Sequence, residues 1–311
     1  MKKNSRLYIA GHTGLIGSAL LRKYKKSGYM NVITKTKKEL DLQNGVSVEK
    51  FFQNEKPEYV ILAAAKVGGI KANMTNPAEF LVENLLIQNN VILNAYKFGV
   101  KKLLYISCGC AYPTRLKQPI KEEYLLSGKP EPTNEGFAIA KIAGMKLCEK
   151  INLEYKKQFI SCVAANAYGE NDHFEEERSH VISALIKRFH QAKIQNLPSV
   201  SIWGTGKARR EFIYVDDLAD GIDLLMKKHS APETINLGSG DEVTIKGLSK
   251  IIQKVVGFKG KVEFDTSKPD GMKRRVFDSS KIKKLGFKPK TSLEEGISRA
   301  YEYFKQSLDK G

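Results

Sequence analysis

The feature that most constrains this chain is an alternation, through its first half, of short apolar runs with longer amphipathic ones. Residues 6–10, 31–34, 59–63, 102–107 and 159–164 are apolar at most positions rather than at every second one. Between them, residues 16–27, 46–54, 77–98 and 137–155 carry apolar side chains at helical spacing. A strand that is apolar on both faces must be covered on both, which is the condition of a parallel sheet between helices. Crossovers of this type are right-handed, so the expected fold is α/β, a doubly wound parallel sheet. A further strand is expected at 234–237 and a helix at 215–228, capped by Asp216 and Asp217.

Immediately after the first run comes Gly11-His12-Thr13-Gly14-Leu15-Ile16-Gly17, three glycines at a strand-to-helix junction. The first permits a tight turn, the second lets backbone approach a pyrophosphate, and the third lets helix and strand pack closely. The helix N-terminus then offers free N–H groups to an anion. The site is thus a Rossmann dinucleotide cradle, with Ala63 and Ala64 after the third strand as small neighbours. Beyond the second strand, Lys35 and Lys37 stand where a carboxylate would hold a free 2′-hydroxyl. They suit a 2′-phosphate, so NADP(H) is the expected cofactor, with Asp41 and Leu42 beside the adenine. Residues 1–168, with 207–240 returning, are expected to form this domain. Residues 169–206 and 241–311 are expected to form a smaller C-terminal α/β lobe over a cleft, with a polar, acidic loop at 169–179.

Composition narrows the class. No stretch of 18 apolar residues occurs, so no membrane helix is expected. Lys2 and Lys3 lead straight into the first strand without an apolar leader, which points to a cytoplasmic protein. The net charge of +18 is spread along the chain as solvated lysines, so a nucleic-acid partner is not expected. A diffuse positive field suits an anionic small molecule. Of the four cysteines, Cys108 and Cys110 lack the companions of a zinc site, and Cys148 and Cys162 fall in core positions of a helix and a strand.

The strings AAAKVGGIKAN (63–73), CAYP (110–113), EPTNEGFAIAKIAGMKLCE (131–149), SHVISALIKRFH (179–190) and WGTGKARREFIYVDD (203–217) resemble the GDP-L-fucose synthase family of extended short-chain dehydrogenase/reductases. That resemblance implies a homodimer using NADP(H) on a GDP-linked 4-keto sugar. It implies that Cys110 and His180 move protons at C3 and C5, and that Lys141 serves 4-reduction and the nicotinamide ribose. It implies a sugar-nucleotide site with Asn166, Val181, Arg188, Trp203, Arg210 and Arg274, with Asn134 and Glu135 nearby. Two positions depart from the pattern. Phe137 occupies the place of the tyrosine of the Tyr-x-x-x-Lys pair, and Cys108 that of a serine. A phenyl ring has no proton to donate, and losing a general acid costs about 10²–10⁴-fold. Three enzymatic readings therefore stay open: an epimerase/4-reductase with a substitute acid, an epimerase that no longer reduces, and a 4-reductase that no longer epimerises. A scaffold without turnover has only the basic charge in its favour.

Overall fold

The computed structural model describes residues 1–175, 179–268 and 270–309. Its first half alternates as β1 (Leu7–Ala10), α1 (Leu15–Lys26), β2 (Val32–Ile33), α2 (Gly45–Glu55), β3 (Tyr59–Leu62), α3 (Ile70–Thr75), α4 (Pro77–Lys97), β4 (Lys102–Cys108), α5 (Glu135–Tyr155) and β5 (Gln158–Ala164). Then follow β6 (Asn166–Tyr168), α6 (Val181–Ile194), β7 (Ser199–Trp203), β8 (Arg209–Tyr214), α7 (Val215–Lys228), β9 (Ile235–Leu237) and β10 (Glu242–Thr244). The chain continues through α8 (Ile245–Val256), β11 (Lys261–Asp265), β12 (Arg274–Arg275), α9 (Ser280–Lys284) and α10 (Leu293–Leu308).

The doubly wound parallel sheet is present, in the order β2-β1-β3-β4-β5-β9. Strands β1, β4 and β5 are buried at nearly every position, which is why they read as continuous apolar runs. Burial of each large side chain there is worth about 1.5–3 kcal/mol. Strand order reverses between β1 and β3, and such a switch point leaves a crevice beyond the strands' carboxyl ends. The glycine turn, Ala63 and Ala64 lie at that crevice.

A second core, including Ile182, Ile186, Phe189, Leu248, Ile252 and Phe304, fills a smaller lobe. Its strands form two small sheets, β10-β8-β12 with β6 on β8, and β11 with β7. Helix α7 and β9 rejoin the main core, but β8, expected to return with them, pairs within the small lobe. Asp216 and Asp217 are not caps: α7 begins at Val215, with Tyr214 at the N-cap. Asp216 instead pairs with Arg22 at 2.9 Å, and Asp217 accepts the backbone N–H groups of Lys290 and Thr291. Glu211, 1% exposed, joins the lobes by accepting from Gly240 N at 2.7 Å and Phe277 N at 2.8 Å. The acidic loop is irregular as expected; residues 176–178 of it lie outside the described residues.

Candidate active site

The glycine cradle separates into what the fold needs and what a ligand needs. Gly11 adopts φ +86°, and a Cβ there would lie 2.6 Å from Ala64 N. A Cβ on Gly17 would lie 2.0 Å from Gly11 O. Both glycines are demanded by the protein itself. Gly14 is different: its φ is −82° and an added Cβ would meet only Gly11 O, at 3.7 Å. Gly14 also caps α1 without a side-chain hydrogen bond, leaving the helix N-terminus bare beside Thr13, Leu15 and Ile16. Nearby, His12 Nδ1 is buried with no partner. An open glycine, a bare helix end and an orphaned ring nitrogen fit a bound pyrophosphate. Across the crevice, Lys35 is held loosely by Glu55 at 3.7 Å, and Lys37 is exposed. Asp41 accepts from the Gln43 N–H, and the Leu42 carbonyl accepts from Asn90.

Lys141 lies against the carboxyl-end half of β4 because α5 is pinned to the sheet. Gln88, buried on α4, accepts from Tyr105 OH at 2.6 Å and donates to the Ala140 carbonyl at 2.8 Å. Lys141 Nζ then donates to the Ile106 carbonyl at 3.0 Å. Burial draws its pKa below the usual lysine range, while charge on Cys108 and Cys110 opposes that fall. Phe137, one turn earlier, puts its ring centre 5.7 Å from Nζ and packs edge-on against Phe80.

Cys108 ends β4 and Cys110 sits in the 3₁₀ turn Gly109–Ala111, so the two sulfurs lie 2.9 Å apart and share a hydrogen bond. That bond lowers the pKa of Cys108, helped by Lys141 and Arg275, and raises that of Cys110. The first proton lost belongs to the pair, and the shifts favour Cys108 as its source. His180 is the N-cap of α6, with Nδ1 3.3 Å from Asp172 Oδ1. The hydrogen bond to Asp172 raises its pKa, Asp172's charge adds to this, and so does Cys108's; burial opposes. With Nδ1 committed, Nε2 is the nitrogen available to a reactant. The Asp172 carboxylate is itself held by the Ser183 hydroxyl and by the His173 N–H at 2.9 Å, while its neighbour Asn171 accepts from Tyr303 OH at 2.7 Å and donates to Ser18 Oγ at 2.9 Å.

On the small lobe, Arg188 donates to the Ser201 carbonyl on β7, and Trp203 ends that strand 66% exposed. Val181, exposed at the start of α6, precedes Arg188 by two turns on the same helix face. Arg210 lies opposite Arg275 in the β8–β12 register, and burial, with the charge of Arg275 adding to it, lowers the pKa of Arg210. Paired guanidiniums of this kind suit a diphosphate. Asn166, donating to the Glu211 backbone carbonyl, lines a water-sized cavity with Gly109, Arg275 and Phe277. Asn134 Oδ1 is buried without a partner.

Residues 7–238 match the NAD dependent epimerase/dehydratase family. The chain belongs to that family. It is 51% identical to a putative GDP-L-fucose synthase 2 of Arabidopsis thaliana, over 99% of this chain and 94% of the relative. The solved GDP-mannoheptose C4 reductase of Campylobacter jejuni, with NADP bound, superposes with a TM-score of 0.89 at 42% identity, covering 98% of this chain and 99% of that one. A GDP-D-glycero-L-gluco-heptose synthase of the same organism, solved in the presence of NADPH, gives a TM-score of 0.90 at 41% identity over 98% and 99% of the chains. The resemblance carried by the sequence strings is borne out.

Three polar residues at this site escaped sequence reasoning. Asp172 lay in an acidic loop with nothing to single it out, and Glu211 within a charged run. Arg275 was passed over for Arg274. In the structure Arg274 is exposed and bound to Glu242 at 2.7 Å, whereas Arg275 donates to the Gly109 carbonyl between the two cysteines. An arginine pair entering a strand always offers one side chain to each face, and that was the only available signal. Among the described residues no cluster of metal-ligating side chains occurs. No helix among them is long and apolar enough to cross a membrane.

Proposed function

We propose that the protein is an epimerase/4-reductase for a GDP-linked 4-keto-6-deoxy sugar, hexose or heptose, working as a homodimer with NADP(H). The observation that carries this reading is a proton-sharing thiol pair electrostatically coupled to a carboxylate-held imidazole, beside a buried lysine. The names of the relatives support the GDP sugar, and those of the solved neighbours support the cofactor.

A 4-ketone makes the C3 and C5 protons acidic, because the carbanion left behind is an enolate. The thiolate of the cysteine pair removes such a proton, and His180 as imidazolium returns one from Nε2. Their pKa values move in the useful directions, one sulfur down and the imidazole up. The family resemblance makes Cys110 the base, whereas the shared hydrogen bond favours the thiolate at Cys108; transfer of the shared proton across the 2.9 Å contact makes Cys110 the thiolate. Gly11, Gly14, His12, Lys35, Lys37, Ala63, Ala64 and Lys141 would hold NADP(H), which when bound supplies hydride for C4. At the C4 oxygen Phe137 has nothing to donate. The thiol proton of the cysteine pair, beside Lys141, is the substitute acid.

Phe137 favours a second reading, an epimerase that does not reduce. Incubation with GDP-4-keto-6-deoxymannose or its heptose analogue in D₂O, with and without NADPH, separates the two. Deuterium at C3 or C5 together with NADPH oxidation supports the proposal. Label without oxidation supports the second reading. Oxidation without label leaves a 4-reductase and removes Cys110 and His180 from proton transfer at C3 and C5.

A further inference from the structure

We propose that Cys108 and Cys110 form a reversible disulfide when a peroxide reaches them, and that this bond switches the active site off. The effect on activity rests on the functional reading above; the bond itself does not.

The turn that carries the two cysteines is firmly held. Gly109 between the cysteines has no room for a side chain: a Cβ there would lie 2.9 Å from the Phe277 ring and 3.4 Å from Arg275 Nε. Its carbonyl accepts from Tyr112 N at 3.1 Å and from Arg275, so the turn is clamped from two sides. With the turn so held, the two sulfurs lie 2.9 Å apart, and a disulfide needs about 2.05 Å. Both cysteines are partly exposed. Gly109 and Arg275 also line a cavity large enough for a molecule the size of water. The thiolate is the reactive form of cysteine, and the bond from Cys110 with the charges of Lys141 and Arg275 favours it at Cys108. Selectivity follows from the remaining thiols. Cys148 and Cys162 are fully buried, and burial pushes both pKa values up, that of Cys162 to about 12.

The chemistry balances with hydrogen peroxide as oxidant. The Cys108 thiolate attacks one peroxide oxygen; the S–O bond forms, the O–O bond breaks, and hydroxide leaves to be protonated to water. Cys110 then loses its proton and attacks the sulfenic sulfur; the S–S bond forms, the S–O bond breaks, and a second water is released. Two electrons pass from the two thiols to the peroxide. The product retains neither the thiolate base nor the shared proton.

The test treats the full-length protein with one equivalent of hydrogen peroxide and reads intact mass, Cys-containing peptides and ketosugar deuterium exchange. The expected result is loss of two hydrogens, a Cys108–Cys110 linkage, and exchange lowered at least tenfold and restored by dithiothreitol. In Cys110→Ser, checked for folding by its thermal melt, Cys108 should trap dimedone as a sulfenic acid. Mass gain as sulfinic acid without loss of hydrogens, linkage through Cys148 or Cys162, or no reaction at Cys108 would overturn the proposal. If the linkage forms while exchange is unchanged, the disulfide stands as a modification site, the switch is lost, and Cys110 is no longer the base.

Discussion

Replacing Phe137 by tyrosine probes the site's departure from its family most directly. Lys141 Nζ lies 5.7 Å from the centre of the Phe137 ring. With that distance as the scale of charge separation and an effective dielectric near 20, an ammonium and a phenolate attract by about 3 kcal/mol. At 1.36 kcal/mol per unit this is about 2 pK units, enough to bring a tyrosine from about 10 to about 8. A general acid in that range contributes about 10²–10⁴-fold. Where the cysteine pair already supplies part of this, the gain is smaller, so we expect Phe137→Tyr to raise NADPH oxidation on the ketosugar by at least about tenfold. The acid must be protonated to act, so the rate should acquire a new limb that falls above about pH 8. Adding Lys141→Met to the tyrosine variant should move that limb upward. The assay is NADPH absorbance against pH for the four combinations of residues. An unchanged rate, or a faster one without the limb, would refute the assignment of a missing acid at 137.

Asp172→Asn removes the carboxylate that raises the pKa of His180. The folded-state pKa is raised, so protonated His180 adds stability at low pH that is lost as pH rises through that pKa. The variant should titrate lower by NMR, and its deuterium-exchange rate should fall off at a lower pH. Gly14→Ala should weaken NADPH binding at least about tenfold with little change in melting temperature, because the protein leaves that Cβ free. Gly17→Ala, with its Cβ against Gly11 O, should lower the melting temperature and lose the cofactor together. Tyr112→Phe strands the buried Asn236 Oδ1 that its hydroxyl reaches at 2.7 Å, and should cost about 1–3 kcal/mol in urea unfolding.

Much of the architecture was legible in order of residues because its causes are local. Continuous apolar runs require cover on both faces, and the glycines of 11–17 mark the turn that joins the first of them to its helix. The small lobe was less legible for the opposite reason. Strand β8 begins Arg209-Arg210-Glu211, and β10 and β12 span three and two residues. Such segments have no pattern of their own and become strands only by pairing with one another.

The same division runs through the active site. The kinds of group present, a thiol, an imidazole, a lysine and a phenylalanine without a hydroxyl, follow from the order of residues, because covalent chemistry belongs to the side chain. Which thiol has the lowered pKa, which arginine faces inward and which carboxylate grips His180 were settled by folding alone. The lowered pKa of Cys108 depends on Cys110 in the turn just after it, and on Lys141 and Arg275, which converge on it from two distant segments. Strand pleating in the register of β12 on β8 separates Arg275 from Arg274. These are electrostatic and steric relations between elements distant in sequence, and they exist only once the lobes have packed.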